Sequence, residues 1–256
     1  MPEILILEGL TDATFFQEVL GRLYLQDAKP LFIGVRGRQN MPAGISGTTA
    51  NGNELQVDFR YSGQGEVDVE GGKEQISRII RGLLDADVQR FAVTRDLDDD
   101  SPEQVVLAIN DVVTNHLGAN DVNLNRETNQ ILLPMGAITV IPIGLYEDGA
   151  LGQLGITKHE LEDLLIRLLL EDASLRENVP ELGTLLAQVL PEIRRFEGPF
   201  NSGKEVFQLI KPIVQHGISD TGAIRRIIRT GNEDLLRTVL APLLESLEHV
   251  LIPGLQ

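Results

Sequence analysis

Two short apolar runs that end on carboxylates constrain this chain more than any other feature. Ile4-Leu5-Ile6-Leu7 runs into Glu8-Gly9, and Phe91-Ala92-Val93-Thr94-Arg95 runs into Asp96-Leu97-Asp98. Short continuous apolar runs beside turn residues read as buried strands. Each is followed by a helical pattern. Phe15, Phe16, Val19, Leu20 and Leu23 share one face of a helix expected to start at Thr11 as its cap and to run to about Leu25. Ser101-Pro102 opens another, with serine as cap, proline in the first turn and Glu103 near the positive end of the helix dipole. Strand and helix in alternation argue for an α/β fold with a mostly parallel sheet and right-handed crossovers. A carboxylate at the carboxyl end of a parallel strand faces the crevice where such sheets bind ligands. Glu8, Asp96 and Asp98 then supply the hard oxygen donors that a divalent cation takes.

Between the two signatures, Pro30 precedes an apolar run from Leu31 to Val35, and residues 34–65 are rich in Gly, Asn, Ser and Thr. Asn51-Gly52 is a strong two-residue hairpin signal, flanked by strand patterns at Ile45–Thr49 and Glu54–Tyr61. The segment reads as a decorating β-hairpin inserted into the fold. A helix is expected over Lys73–Leu84 after Gly71-Gly72, and strands over Gln130–Pro134 and Ala137–Ile143. Gly149 to Gly155 reads as a loop. Beyond it the pattern is helical throughout, over Thr157–Glu171, Pro180–Leu190, Lys204–His216, Thr221–Arg229 and Glu233–Leu251. The leucine stripe of the last segment is the face of an amphipathic helix and reads as core. The expected division is an α/β domain over 1–148, with the insertion at about 34–65, and an all-helical C-terminal part over 149–256.

Composition excludes several classes. The 256 residues carry a formal net charge of −16, so a broad basic footprint for nucleic acid is missing. A polyanionic substrate would have to be met by divalent ions, by a local stripe or by a basic partner. The candidate stripes are Arg36 with Arg38, Arg194-Arg195, and Arg225, Arg226 and Arg229, each of which on its own reads as a solvated face. The chain has no cysteine, hence no disulfide and no thiolate zinc site. No apolar run approaches the ~20 residues that span a bilayer, and no membrane association is expected. No basic region or cleavage site precedes the first strand, so no signal peptide is expected and the cytoplasm is the default location.

With these residues in view, the chain resembles the Toprim domain of topoisomerases, bacterial primases, recombination mediators and the overcoming-lysogenization-defect nucleases. The resemblance rests on Ile-Leu-Ile-Leu-Glu-Gly-Leu-Thr-Asp at 4–12, on Phe-Ala-Val-Thr-Arg-Asp-Leu-Asp at 91–98 and on the Gly71-Gly72 turn. It spans about residues 3–145 and becomes faint beyond, where Leu161-Glu162-Asp163 is similar to a helix opening in those relatives. It implies a Rossmann-like fold and a phosphodiester-cleaving, nuclease-like activity dependent on Mg²⁺ or Mn²⁺. Glu8 would be the general acid/base and also a metal ligand, with Asp12 a supporting acid. Asp96 and Asp98 would be metal ligands, and Glu162 a ligand to a second ion. Lys73 is a candidate phosphate contact. Zinc modules, a domain bearing a nucleophilic tyrosine and a phosphate-binding loop are all missing, which implies a stand-alone protein. Asn201-Ser202-Gly203-Lys204-Glu205 comes nearest to such a loop and lacks its first glycine and its Ser/Thr.

A second reading is a non-catalytic Toprim module that binds a partner protein in a DNA repair or defence complex. A third, an aspartyl phosphoryl-transfer protein, is weaker, because Asp100 stands where the phosphatase motif prefers Thr or Val. His116, His159, His216 and His249 fall on helical patterns without a nucleophile elbow and read as surface or helix-end residues.

Overall fold

A computed structural model describes residues 3–34, 40–61, 72–176 and 179–251. The chain forms two compact units, one of residues 1–95, 102–142 and 243–256, the other of 96–101 and 143–242.

The first unit carries β1 (Glu3–Ile6), α1 (Leu10–Leu23), β2 (Leu25–Ile33), β3 (Met41–Thr49), β4 (Glu54–Arg60), α2 (Gly72–Asp85), β5 (Phe91–Asp96), α3 (Pro102–Leu117), β6 (Asn123–Asn125), β7 (Gln130–Leu133) and β8 (Gly136–Ile143). The strands form one eight-stranded sheet in the order β2-β3-β4-β1-β5-β8-β7-β6. β1 is parallel to β4, with Glu3 opposite Val57 and Ile6 opposite Arg60. It is also parallel to β5, with Leu5 opposite Ala92 and Ile6 opposite Val93. The pairs β2–β3, β3–β4, β6–β7 and β7–β8 are antiparallel. The sheet is therefore only partly parallel, which corrects the expectation of a mostly parallel one. The physical reason is connection length: a tight turn such as Asn51-Gly52 can join only antiparallel neighbours. That hairpin is no decoration either, since its second strand lies directly beside β1.

The central strands are buried because they are apolar without alternation. Leu5, Ile6, Leu7, Phe91, Ala92 and Val93 have no solvent exposure. Phe15 and Phe16 of α1 meet edge to face at 5.4 Å, and Val19 and Leu20 complete its buried face. The cap of α1 is Gly9, not Thr11. Asp12 reaches back from the first turn, and its Oδ2 accepts from the N–H groups of Glu8 (3.0 Å) and Gly9 (3.1 Å). Buried Gln17 ties α1 to the hairpin strands, donating to the carbonyls of Gly44 (2.7 Å) and Leu31 (3.2 Å).

The second unit is helical. It holds α4 (Gly149–Gln153), α5 (Leu161–Glu171), a 3₁₀ turn (Ala173–Arg176), α6 (Leu182–Glu197), α7 (Gly203–Val214), α8 (Asp220–Thr230) and α9 (Glu233–Val239). From its end α10 (Ala241–Leu251) leads back into the first unit. α5 is its centre, packed on α7, α8 and α9, with Leu161, Leu164, Leu165, Ile166, Leu168 and Leu169 buried. Four expectations change here. The 149–155 segment is not all loop, because Asp148 caps α4 by accepting from Ala150 and Leu151 N–H. α6 continues through Pro191, since Leu182, Leu186 and Leu190 bury a face and outweigh one lost hydrogen bond. The stretch expected as one helix from Glu233 to Leu251 is two, because Pro242 has no N–H to continue α9 and is accommodated in the first turn of α10. Finally, 157–160 is not helical, for reasons that belong to the site below.

One buried acid holds the far end of α5. Asp172 is 5% exposed. Its Oδ1 accepts from the N–H and hydroxyl of Ser174, and its Oδ2 from Asn232 N–H at 2.6 Å. Burial works to raise its pKa, but these bonds and that from Leu175 together hold it below the ordinary carboxylate value. A depressed folded-state pKa gives stability that is present above the unfolded value and lost as pH falls through the folded one. Asp172→Asn sets an amide N–H₂ against a donor and should cost about 1–3 kcal/mol at pH 7. Urea titrations should show that gap closing as pH falls below the ordinary carboxylate range and through the depressed folded-state pKa.

Candidate functional site

Asp96, the last residue of β5, and Asp98 belong to the second unit, and each is built into the chain around the start of α5. Asp96 Oδ1 accepts from Leu161 N–H at 3.1 Å, capping the helix from 65 residues away. Asp98 has φ +53°, in the left-handed region that aspartate tolerates better than most residues. Its N–H donates to the His159 carbonyl (2.7 Å), and its own carbonyl accepts from His159 N–H (2.8 Å). This antiparallel bridge, together with bonds from Thr157 and Lys158 N–H to the Asn201 carbonyl, holds 157–160 extended where a helix was expected.

The bridge places a cation on the acid. Lys158 Nζ lies 3.2 Å from Asp98 Oδ1 and 3.9 Å from Glu160 Oε1. Hydrogen bonding to Asp98 and that residue's charge raise the Lys158 pKa, outweighing desolvation, with Glu160 and Asp99 adding to the effect. Glu160 Oε2 also accepts from Lys204 N–H at 3.1 Å.

Two further acids open α5. Glu162 is 7% exposed. Burial above all, then the charges of Glu160 and Asp220, push its pKa up to about 7, against its own backbone N–H and Lys204. Asp163 has no exposure. His159 donates from Nδ1 to Asp163 Oδ2 (2.8 Å), which also accepts from Leu145 N–H (3.3 Å). Burial raises the Asp163 pKa, and these two donors pull it back. Its Oδ1 has no conventional partner and faces the Gly203 Cα so closely that a Cβ there would lie 2.2 Å away. His159 is thus a buried residue fixed by a carboxylate with the Tyr146 ring edge-on at 6.1 Å, which corrects its reading as a surface histidine. The signal was present as the i, i+4 spacing of His159 and Asp163.

The other sequence candidates fall as follows. Glu8, half-buried just past β1, and Asp12, buried as the backward cap of α1, lie in the first unit. Asp96, Asp98 and Glu162 lie in the second. The Lys73 side chain, Arg36 and Arg38 lie outside the described residues. Arg194 is a structural clamp, donating to the carbonyls of Phe200, Leu154 and Gly155 at 2.8, 2.6 and 3.1 Å. Arg195 pairs with Glu192 on its own helix. The 201–205 string is a capping box for α7: Ser202 Oγ accepts from Glu205 N–H, and Glu205 Oε2 accepts from Ser202 N–H.

Among the described residues no group of three or more His, Asp or Glu side chains stands ready to hold a metal ion. The donor chemistry of the Asp96-Leu97-Asp98 turn nevertheless fits a hard cation. Mg²⁺ typically takes only one or two carboxylates, completing its shell with water and substrate oxygens, and an ammonium already rests on Asp98. Among the described residues no helix is long and apolar enough to cross a membrane.

No family model matches the chain, and no curated protein does. Its fold is similar to the crystal structure of a hypothetical protein from Pyrococcus horikoshii OT3, with a TM-score of 0.61, 19% identity and 98% of each chain covered. At that identity the likeness concerns the fold alone.

Proposed function

We propose that the protein is a Toprim-like, Mg²⁺- or Mn²⁺-dependent phosphodiesterase acting on nucleic acid. The observation that carries this reading is the placement of the two acidic signatures. Glu8 follows β1 and Asp96 ends β5, neighbouring parallel strands at the middle of the sheet, and carboxyl ends of parallel strands are where such sheets bind ligands. Asp96 and Asp98 would hold the ion, and Glu162 would serve a second one. The ion would screen the phosphate charge and polarise the scissile phosphoryl group, which suits a chain of net charge −16. Glu8 would move the proton between solvent and the reacting oxygen. Asp12 has a supporting part, fixing the Glu8 and Gly9 backbone through its two accepted hydrogen bonds.

The test is nicking of supercoiled plasmid. The wild-type protein should nick with Mg²⁺ or Mn²⁺ and not in EDTA. Glu8→Gln keeps the size and the backbone bond to Asp12 but cannot exchange a proton, and should slow nicking by ~10²–10⁴-fold. Nicking that ignores EDTA, or persists at full rate in Glu8→Gln, would remove the assignment. Metal binding without any nicking of DNA or RNA would favour the second reading, a module that binds a partner protein.

A further inference from the structure

The structure points to Lys158 as a built-in counter-ion that holds the Asp98 carboxylate in the metal-free protein and must be displaced when a divalent cation binds there. This rests on the metal reading of Asp96 and Asp98 given above and adds how the site is regulated.

Three observations carry it. First, the ammonium is where a cation would be, 3.2 Å from Asp98 Oδ1 and within 3.9 Å of Glu160 Oε1. Second, the pair is held by main chain on both sides. Asp98 is pinned by its two bonds to His159, and Lys158 by its N–H to the Asn201 carbonyl and by Gly203 N–H to its own carbonyl. Neither backbone has to be ordered from a free loop for the two to meet, so the cost of forming the pair is that of the side chains alone. Third, the region is densely acidic, with Asp96, Asp98, Asp99, Asp100, Glu160, Glu162 and Asp163 in two short stretches of one unit. Like charges there oppose one another, and the Lys158 ammonium offsets part of that repulsion at Asp98, Glu160 and Asp99.

Competition follows from electrostatics alone. An ammonium on Asp98 Oδ1 and a dication on either oxygen of the same carboxylate lie within a few ångströms of each other and repel, so binding of the ion works against the pair. The side chain is 38% exposed, so it can swing out into water when displaced. The arrangement costs metal affinity and gains a stable metal-free state.

The experiment is Mn²⁺ titration, by calorimetry and by thermal melting, of the full chain and of Lys158→Gln, Lys158→Arg, Asp98→Asn and Asp96→Asn, with circular dichroism as the control for folding. Lys158→Gln should bind Mn²⁺ about three- to tenfold more tightly than wild type, the range expected when a pair of this exposure no longer has to be broken. It should also melt lower in EDTA and gain more from Mn²⁺. Lys158→Arg keeps the charge and should stay near wild type, and Asp98→Asn should bind more weakly. Unchanged Mn²⁺ affinity in Lys158→Gln, with Asp98→Asn weakened, would overturn the counter-ion role and leave the metal site standing. Affinity unaffected by Asp96→Asn and Asp98→Asn would overturn the metal reading itself.

Discussion

Asp96→Asn and Asp96→Ala should both lose metal-dependent nicking, by on the order of 10²–10³-fold, yet differ in stability. A metal ligand supplies several kcal/mol of charge stabilisation to phosphoryl chemistry, and each 1.36 kcal/mol is a factor of ten in rate. Asparagine removes the charge but keeps an oxygen where Asp96 Oδ1 accepts from Leu161 N–H. The cap of α5 survives, and the variant should unfold within ~0.5 kcal/mol of wild type. Alanine also removes the cap and should cost a further ~0.5–2 kcal/mol. Nicking rates beside urea unfolding curves separate the two effects. A fully active Asp96→Asn protein would make Asp96 a structural cap and nothing more.

Gly44→Ala is expected to be the most damaging change in the first unit. Gly44 lies in β3 with φ +155°, beside the register shift at Leu31/Phe32 where β2 pairs with it. A Cβ at this position would lie 2.2 Å from the Val57 carbonyl oxygen, in the neighbouring strand that pairs with β1. The clash is with main chain, so no side chain can turn aside. The Gly44 carbonyl also accepts from buried Gln17, so movement of β3 strands a buried amide. Backbone strain and overpacking of this kind cost about 1–3 kcal/mol each, and together about 3 kcal/mol or more. Thermal melting and amide exchange over 41–60 should show it, and unchanged stability would mean that the hairpin moves freely against the sheet.

Local chemistry made much of this fold legible. Asn51-Gly52 named its hairpin because that dipeptide fits few other turns, and the apolar runs at 4–7 and 91–95 named two central strands. What local pattern does not carry is pairing at a distance. The place of β4 beside β1 depends on contacts about 50 residues apart. The 157–160 segment followed a helical pattern, but Asp98 and Asn201 supply its backbone with other partners. His159 was passed over for the same reason, because on a helix it would have been one more exposed histidine. At the acids, residue type announced Glu8, Asp96, Asp98 and Glu162 as candidates, while the cap made by Asp96 and the ion pair made by Asp98 emerge only from the folded chain.

The return of α10 to the first unit governs when that unit can be completed. Tyr24 donates to Glu248 Oε1 at 2.7 Å across 224 positions of sequence, and Leu243, Leu244 and Leu247 are buried. The ribosome makes the sheet strands, then the helical unit and only then this helix, so the helical unit emerges in full before the sheet unit has all its parts. A nascent chain stopped at residue 242 would leave the surface that receives α10 uncovered, and such surface is what chaperones hold. That surface should therefore stay open to solvent until this helix has been made.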